Sequence, residues 1–241
     1  MMGKRLSLVL LMLSMLTGCQ LSSSQQSVQA FDVANMEKVK NYDGLISHYK
    51  SRLVAGENDL AIKEKLAWAY FYKGDLESAA FYVQHLQEEG VENASLYQLS
   101  GQVFDAKDDT EQAISAYVAS IAAGNETGLI YVLLGVSYTK AGKYNEAYQA
   151  LNSARLRGYD DVAIKNNIAM IHMANNEYTQ AIDILAPVLK EDPTNTVVKS
   201  NFAIALMKNQ QVDLAKKLLK GEFSEQEIQS IAAELMRYRG E

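Results

Sequence analysis

The chain has 241 residues, is 48% hydrophobic with only two prolines, and carries a formal net charge of −6. That acidic balance offers no electrostatic case for nucleic acid or anionic headgroups as partners. A single cysteine excludes an internal disulfide, and the lack of apolar–polar alternation bounded by turn residues points to an all-α chain.

Residues 1–18 read as a signal peptide. Lys4 and Arg5 precede an apolar run from Leu6 to Leu16, broken only by Ser7 and Ser14. A bilayer-spanning helix needs roughly 20 apolar residues, whereas a run of this length suits the core of a secretory signal. The run ends in Leu16-Thr17-Gly18-Cys19, which resembles the lipobox of bacterial lipoproteins. The resemblance implies cleavage before Cys19, acylation of its sulfur and new amino group, and anchoring in the lipid bilayer through Cys19. Gln20 in place of Asp implies, by the same resemblance, sorting to the outer membrane, facing the periplasm. The segment 19–34 contains an uncharged, Ser- and Gln-rich stretch from Gln20 to Ala30, expected to be a flexible tether.

From Leu60 onward the chain repeats with a period of 34 residues, giving units 60–93, 94–127, 128–161, 162–195 and 196–223. Position 8 is small in each: Ala67, Gly101, Gly135, Ala169 and Ala203. Position 20 is always Ala: Ala79, Ala113, Ala147, Ala181 and Ala215. Two helices approach closely only where a side chain is nearly absent, so these positions mark helix crossings. Position 11 holds Tyr70, Phe104, Tyr138, His172 and Leu206, and position 24 holds Val83, Tyr117, Leu151, Leu185 and Leu219. Positions 4, 7, 8 and 11 are expected to share one face of a first helix, and positions 17, 20 and 24 one face of a second. Gly74, Asp108, Gly142, Asn176 and Gln210 at position 15 allow the reversal between them. Pro193 stops the second helix of the fourth unit.

Residues 35–59 read as a degenerate half repeat, because Tyr42, Leu45 and Tyr49 fall at positions 17, 20 and 24 when the frame is extended backwards. At the other end, Glu222 replaces the small residue at position 27 of the fifth unit, and Ser224-Glu225-Gln226-Glu227 is a capping-box pattern. It opens a helix within 224–241, with Ile228, Ile231, Ala232 and Leu235 on one face, expected to cap the array.

The repeat pattern from Leu60 to about Gly221 resembles the tetratricopeptide (TPR) family. The implied fold is an all-α superhelical solenoid of about five helix–turn–helix repeats, with an N-terminal half repeat and a C-terminal capping helix. In that family the first helices line a concave partner-binding groove. Carried over position by position, the groove comprises Trp68, Phe71, Tyr72, Gln98, Gln102, Val136, Lys140, Asn166, Asn167, Met170, Met173, Asn201, Ile204 and Met207. Asn167 and Asn201 share position 6, where an amide offers both donor and acceptor to a peptide backbone. The family's Lys–Asn–Arg carboxylate clamp is absent as a set.

No pattern for catalysis, metal or cofactor binding emerges. His48, His85 and His172 match no metal spacing, and neither a phosphate-binding glycine loop nor a Gly-x-Ser-x-Gly turn occurs. His172 reads as a hydrogen-bonded core residue, and Asp108-Asp109 and Asp160-Asp161 as loop charges and helix caps. A non-enzymatic scaffold without a small-molecule substrate is expected.

Lipobox, tether and repeats together resemble the TadD-type lipoproteins of tight-adherence (Flp) pilus systems. The likeness is strongest at Ile164-Lys165-Asn166-Asn167-Ile168-Ala169, Ala181-Ile182-Asp183-Ile184-Leu185 and Val198-Lys199-Ser200-Asn201-Phe202-Ala203-Ile204-Ala205. It implies a periplasmic assembly factor whose partners are parts of a pilus or secretion apparatus, a secretin foremost. The alternatives are a pilotin-type TPR lipoprotein of type IV pili and an adaptor docking cell-wall enzymes.

Overall fold

The computed structural model describes residues 32–56 and 59–237. The signal peptide, Cys19 and most of the proposed tether lie outside the described residues, as do residues 238–241 at the end of the expected cap. The chain divides into two compact units, Met1–Val91 and Glu92–Glu241.

In the first unit, residues 32–38 are helical and lead into α1 (Tyr42–Val54), α2 (Leu60–Lys73) and α3 (Leu76–Glu88). The helical start at residue 32 corrects two expectations. The tether cannot extend to residue 34, and the half repeat keeps the end of its first helix. Lys40 explains why the frame survives there: its φ of 55° puts it in the left-handed region at position 15. α1 packs on α2, and α2 on α3.

The second unit holds α4 (Ala94–Ala106), α5 (Thr110–Ala122), α6 (Gly128–Lys140), α7 (Tyr144–Leu156), α8 (Asp161–Ala174) and α9 (Tyr178–Glu191). α10 (Thr196–Lys208), α11 (Val212–Leu218) and α12 (Glu225–Arg237) complete it. Each helix packs on its chain neighbour, and the first helices α4, α6, α8 and α10 also touch in series. Among the described residues the only β feature is one isolated bridge, Lys220 to Phe223.

The small-residue register has the expected steric basis. All five position-20 alanines are 0% exposed. A Cβ on Gly101 would lie 2.4 Å from the ring of Tyr117, and one on Gly135 would lie 3.1 Å from Leu151. Position 8 therefore packs on position 24 of the same repeat. Position 3, not position 4, supplies the next core residue, one turn before position 7: Ile62, Leu96, Ile130, Ile164 and Val198 are all buried, whereas Lys63, Tyr97, Tyr131, Lys165 and Lys199 are half-buried.

Turn chemistry is equally periodic. Every position-15 residue has positive φ, from 55° at Lys40 to 86° at Gly74. A second periodic left-handed site is Gly56, Gly90, Gly124 and Gly158, at the turn between repeats. The next residue in that series is Asp192, followed by Pro193, and the helix there ends without a left-handed glycine. Helix starts are capped by Asp59, Asp75, Asn93, Asp109, Asp160 and Asn195, each accepting a backbone N–H.

The capping box forms reciprocally. Ser224 Oγ accepts from Glu227 N–H at 3.2 Å, and Glu227 accepts from Ser224 N–H at 2.7 Å. The Ser224 hydroxyl, donating to the Glu227 carboxylate at 2.7 Å, and then the Ser224 N–H hold that carboxyl below its usual range. α12 buries Ile228 and Ala232 against α10 and α11, with Leu235 partly packed. Ile231 departs from the expected face and is 38% exposed.

Candidate functional site

The first unit presents an aromatic pocket of about 480 Å³ lined by α1, α2, the helical segment 32–38 and the turn that joins it to α1. Leu45, Tyr49 and Ala69 are buried at its base. Trp68 and Tyr72 lie one helical turn apart on α2 and stack with centroids 5.4 Å apart. Tyr42, the first residue of α1, stacks on the same Tyr72 at 5.7 Å. Phe71 meets Trp68 edge-on at 6.1 Å. Glu37, Lys40 and Lys65 form the charged rim. Lys73, next to Tyr72, pairs with Asp43 at 2.5 Å.

The structure thus brings together Trp68, Phe71 and Tyr72 and adds Tyr42 and Tyr49. Those two occupy positions 17 and 24 of the half repeat, which the repeat pattern assigns to the core. Tyr49 is buried as that pattern requires. Tyr42 is only half-buried. Among the described residues only the short helical segment 32–38 precedes α1, and the Tyr42 ring builds the pocket wall. The sequence signal that could have shown this is the early degeneration of the array.

In the second unit, the remaining groove candidates lie on α4, α6, α8 and α10, and many are already engaged. Gln98 accepts from Asn125 Nδ2 at 2.8 Å. Lys140 donates to Asp105 at 3.0 Å. Asn167 donates to the Ala163 carbonyl of its own helix at 3.0 Å, and Asn201 donates to Asn166 Oδ1 at 2.8 Å. The last pair ties α10 to α8 across one repeat and spends donor capacity that a peptide would need. Gln102, Val136 and Ile204 are half-buried, and Met170 is 38% exposed. Met173 packs partly against the core shared by α8, α9 and α10.

Met207 is a correction to the groove. It is 2% exposed and sits in a cluster with Leu206, Leu219 and Ile228. The reason is steric: α12 lies against α10 and covers position 12 of the last repeat.

Asp105 is the most connected side chain on this face. Its carboxylate accepts from Tyr117 Oη at 2.9 Å, Ser137 Oγ at 2.8 Å and Lys140 Nζ at 3.0 Å. The side chain is 15% exposed, so the Lys140 partner offsets a charge largely removed from water. Burial, reinforced by the Asp105 charge, pushes the Tyr117 phenol far above its ordinary value.

His172 is a hydrogen-bonded, half-buried residue, as its position suggests. One ring nitrogen lies 2.6 Å from Glu177 Oε2, and the other 2.8 Å from Tyr148 Oη. Asp109 and Asp160 act as helix caps, and Asp161 pairs with Lys165 and Arg155. Among the described residues no three His, Cys, Asp or Glu side chains converge on a possible metal position. No described helix is long and apolar enough to cross a membrane.

Two tetratricopeptide-repeat family models match the chain, over residues 132–196 and 172–221. No curated protein matches. Among solved structures, a tetratricopeptide repeat protein from Parabacteroides merdae is similar with a TM-score of 0.64 and 13% identity. That match covers 82% of this chain and 98% of the other. A thermophilic TPR protein from Thermus thermophilus gives a TM-score of 0.56 at 17% identity, covering 72% and 95% of the two chains. YrrB, described as a TPR protein with an unusual peptide-binding site, gives 0.54 at 17% identity, covering 79% and 93%. At these identities the likeness is one of fold.

Proposed function

We propose that the protein is a lipid-anchored scaffold on the periplasmic side of the outer membrane that assists assembly of a Tad/Flp-type pilus or secretion machine. It rests on a repeat architecture of the tetratricopeptide type, whose stacked helix pairs mediate contacts between proteins. The observation that carries a binding role is the series of touching first helices in the second unit, which leaves Gln102, Val136, Met170 and Ile204 at least partly exposed along one face. Met170 supplies an adaptable apolar contact. YrrB, a structural neighbour, is described as peptide-binding, which fits a peptide segment as the bound element. The lipobox at Leu16 to Cys19 and the resemblance to TadD-type lipoproteins supply the compartment and the machine, with the secretin as partner.

The test has two arms. Cys19→Ser should abolish incorporation of labelled palmitate and release the protein from the outer-membrane fraction. Deleting the gene should reduce detergent-resistant secretin multimers and surface pilin, and the wild-type gene should restore both. Normal secretin assembly in the deletion strain would refute the assembly role, and palmitate labelling of Cys19→Ser would refute the anchor.

A further inference from the structure

The aromatic pocket of the first unit has a chemistry distinct from the face of the second. Its base is apolar: Leu45, Tyr49 and Ala69 are each below 5% exposed. Its wall is the stack Tyr42–Tyr72–Trp68, with interplanar angles of 19° and 23°. Tyr72 is 55% exposed in spite of these contacts. Ring faces of this kind favour an aromatic occupant, which adds offset or edge contacts to the gain from burial. Two ammonium groups and one carboxylate stand at the rim, so the mouth is locally positive in a chain of net charge −6. Lys40 and Lys65 are exposed and form no ion pair among the described residues.

We propose that this pocket is an anchor site for a partner protein's segment that carries an aromatic side chain flanked by acidic residues. The ring enters against Trp68 and Tyr72, and the flanking carboxylates meet Lys40 and Lys65. Lys40 is held at the mouth by the left-handed turn that starts α1, with φ of 55°. The proposal rests on the scaffold reading and assigns the class of segment it takes.

The chain supplies its own probe, because Trp68 is its single tryptophan. Full-length protein in mild detergent is titrated with a blocked pentapeptide having one central phenylalanine between glutamates. Matched peptides carry alanine at the centre, or lysines in place of the glutamates. The expected result is a saturable change in Trp68 fluorescence with the acidic phenylalanine peptide alone. Affinity should fall about tenfold or more in Tyr72→Ala, and by a smaller factor in Lys65→Gln. Lys65 is exposed, so its variant remains folded and keeps the test informative even if Tyr72→Ala perturbs α2.

Equal binding of the lysine peptide, or no fluorescence response to the acidic phenylalanine peptide, would overturn the proposal. Self-association of the wild-type chain that Tyr72→Ala abolishes would also overturn it, by assigning the pocket to a second copy. Secretin assembly scored in cells carrying Lys65→Gln/Tyr72→Ala separates the two readings. Normal assembly there, with assembly lost on gene deletion, would sink the pocket and leave the scaffold function standing.

Discussion

The ring of Tyr117 lies directly against the α-carbon of Gly101: a Cβ at that glycine would sit 2.4 Å from Cε1 of the ring. Tyr117 cannot swing aside, because it is 0% exposed and its hydroxyl donates to Asp105. Gly101→Ala should therefore destabilise the second unit by about 1–3 kcal/mol through overpacking, overriding the gain of about 1 kcal/mol in helix propensity. At Gly135 the nearest atoms are the flexible Leu151 side chain at 3.1 Å, so Gly135→Ala should change stability far less. Denaturant unfolding followed by far-UV circular dichroism compares the two, and equal effects would contradict the packing described.

The Tyr117 phenol, raised above its ordinary value by burial and then by Asp105, makes stability depend on alkaline pH. Its contribution is fully present below about pH 10, the ordinary tyrosine value. As pH rises further the unfolded chain releases this proton first, so stability is lost. Tyr117→Phe should remove that part of the alkaline loss, while costing about 1–2 kcal/mol at neutral pH from the missing bond to a carboxylate. Unfolding curves between pH 8 and pH 11 test it; parallel pH profiles for the two proteins would exclude Tyr117 as the source.

Met207 and Met170 separate core from surface. Met207→Ala removes a 2% exposed side chain at the junction of α10, α11 and α12. A loss of about 2–5 kcal/mol is expected. Met170 is 38% exposed, and its replacement by alanine should leave the melting temperature almost unchanged. If Met207→Ala were neutral for stability, the packing of α12 over position 12 would be wrong.

Gln210 occupies the left-handed region at φ 62° without the advantage of being glycine. Gln210→Gly should stabilise the chain by about 0.5–1 kcal/mol, as the steric penalty of a side chain there exceeds the extra entropy of glycine. Gly74→Ala, at φ 86°, should destabilise by a similar amount. Thermal melts of both variants check the pair, and shifts of the same sign would exclude the periodic turn as the cause.

Asn166 and Asn201 illustrate how far a repeat register reaches. Their placement on the first-helix face was readable from the spacing, since side-chain direction on a helix follows from its period. That Asn201 donates to Asn166 rather than facing out unengaged was not readable. It depends on the side-by-side approach of α8 and α10, a distance that no single helix specifies. The same holds for Lys140, whose ammonium is taken by Asp105 from the preceding repeat.

By itself the sequence determined the local and periodic features: all-α content, the helix crossings at positions 8 and 20, the turn at position 15 and the Ser224–Glu227 box. These follow from sterics, backbone freedom and short-range hydrogen bonding, which act within a helix or between adjacent ones. Tertiary structure alone decided which groove residues remain open. α12 buries Met207, a hydrogen bond from Asn125 of the same repeat occupies Gln98, bonds between neighbouring repeats occupy Lys140 and Asn201, and the packing of α1 on α2 stacks Tyr42 on Tyr72. Each depends on what packs across from the residue, and a repeat pattern is least informative about that at the ends of an array, where the next repeat is missing.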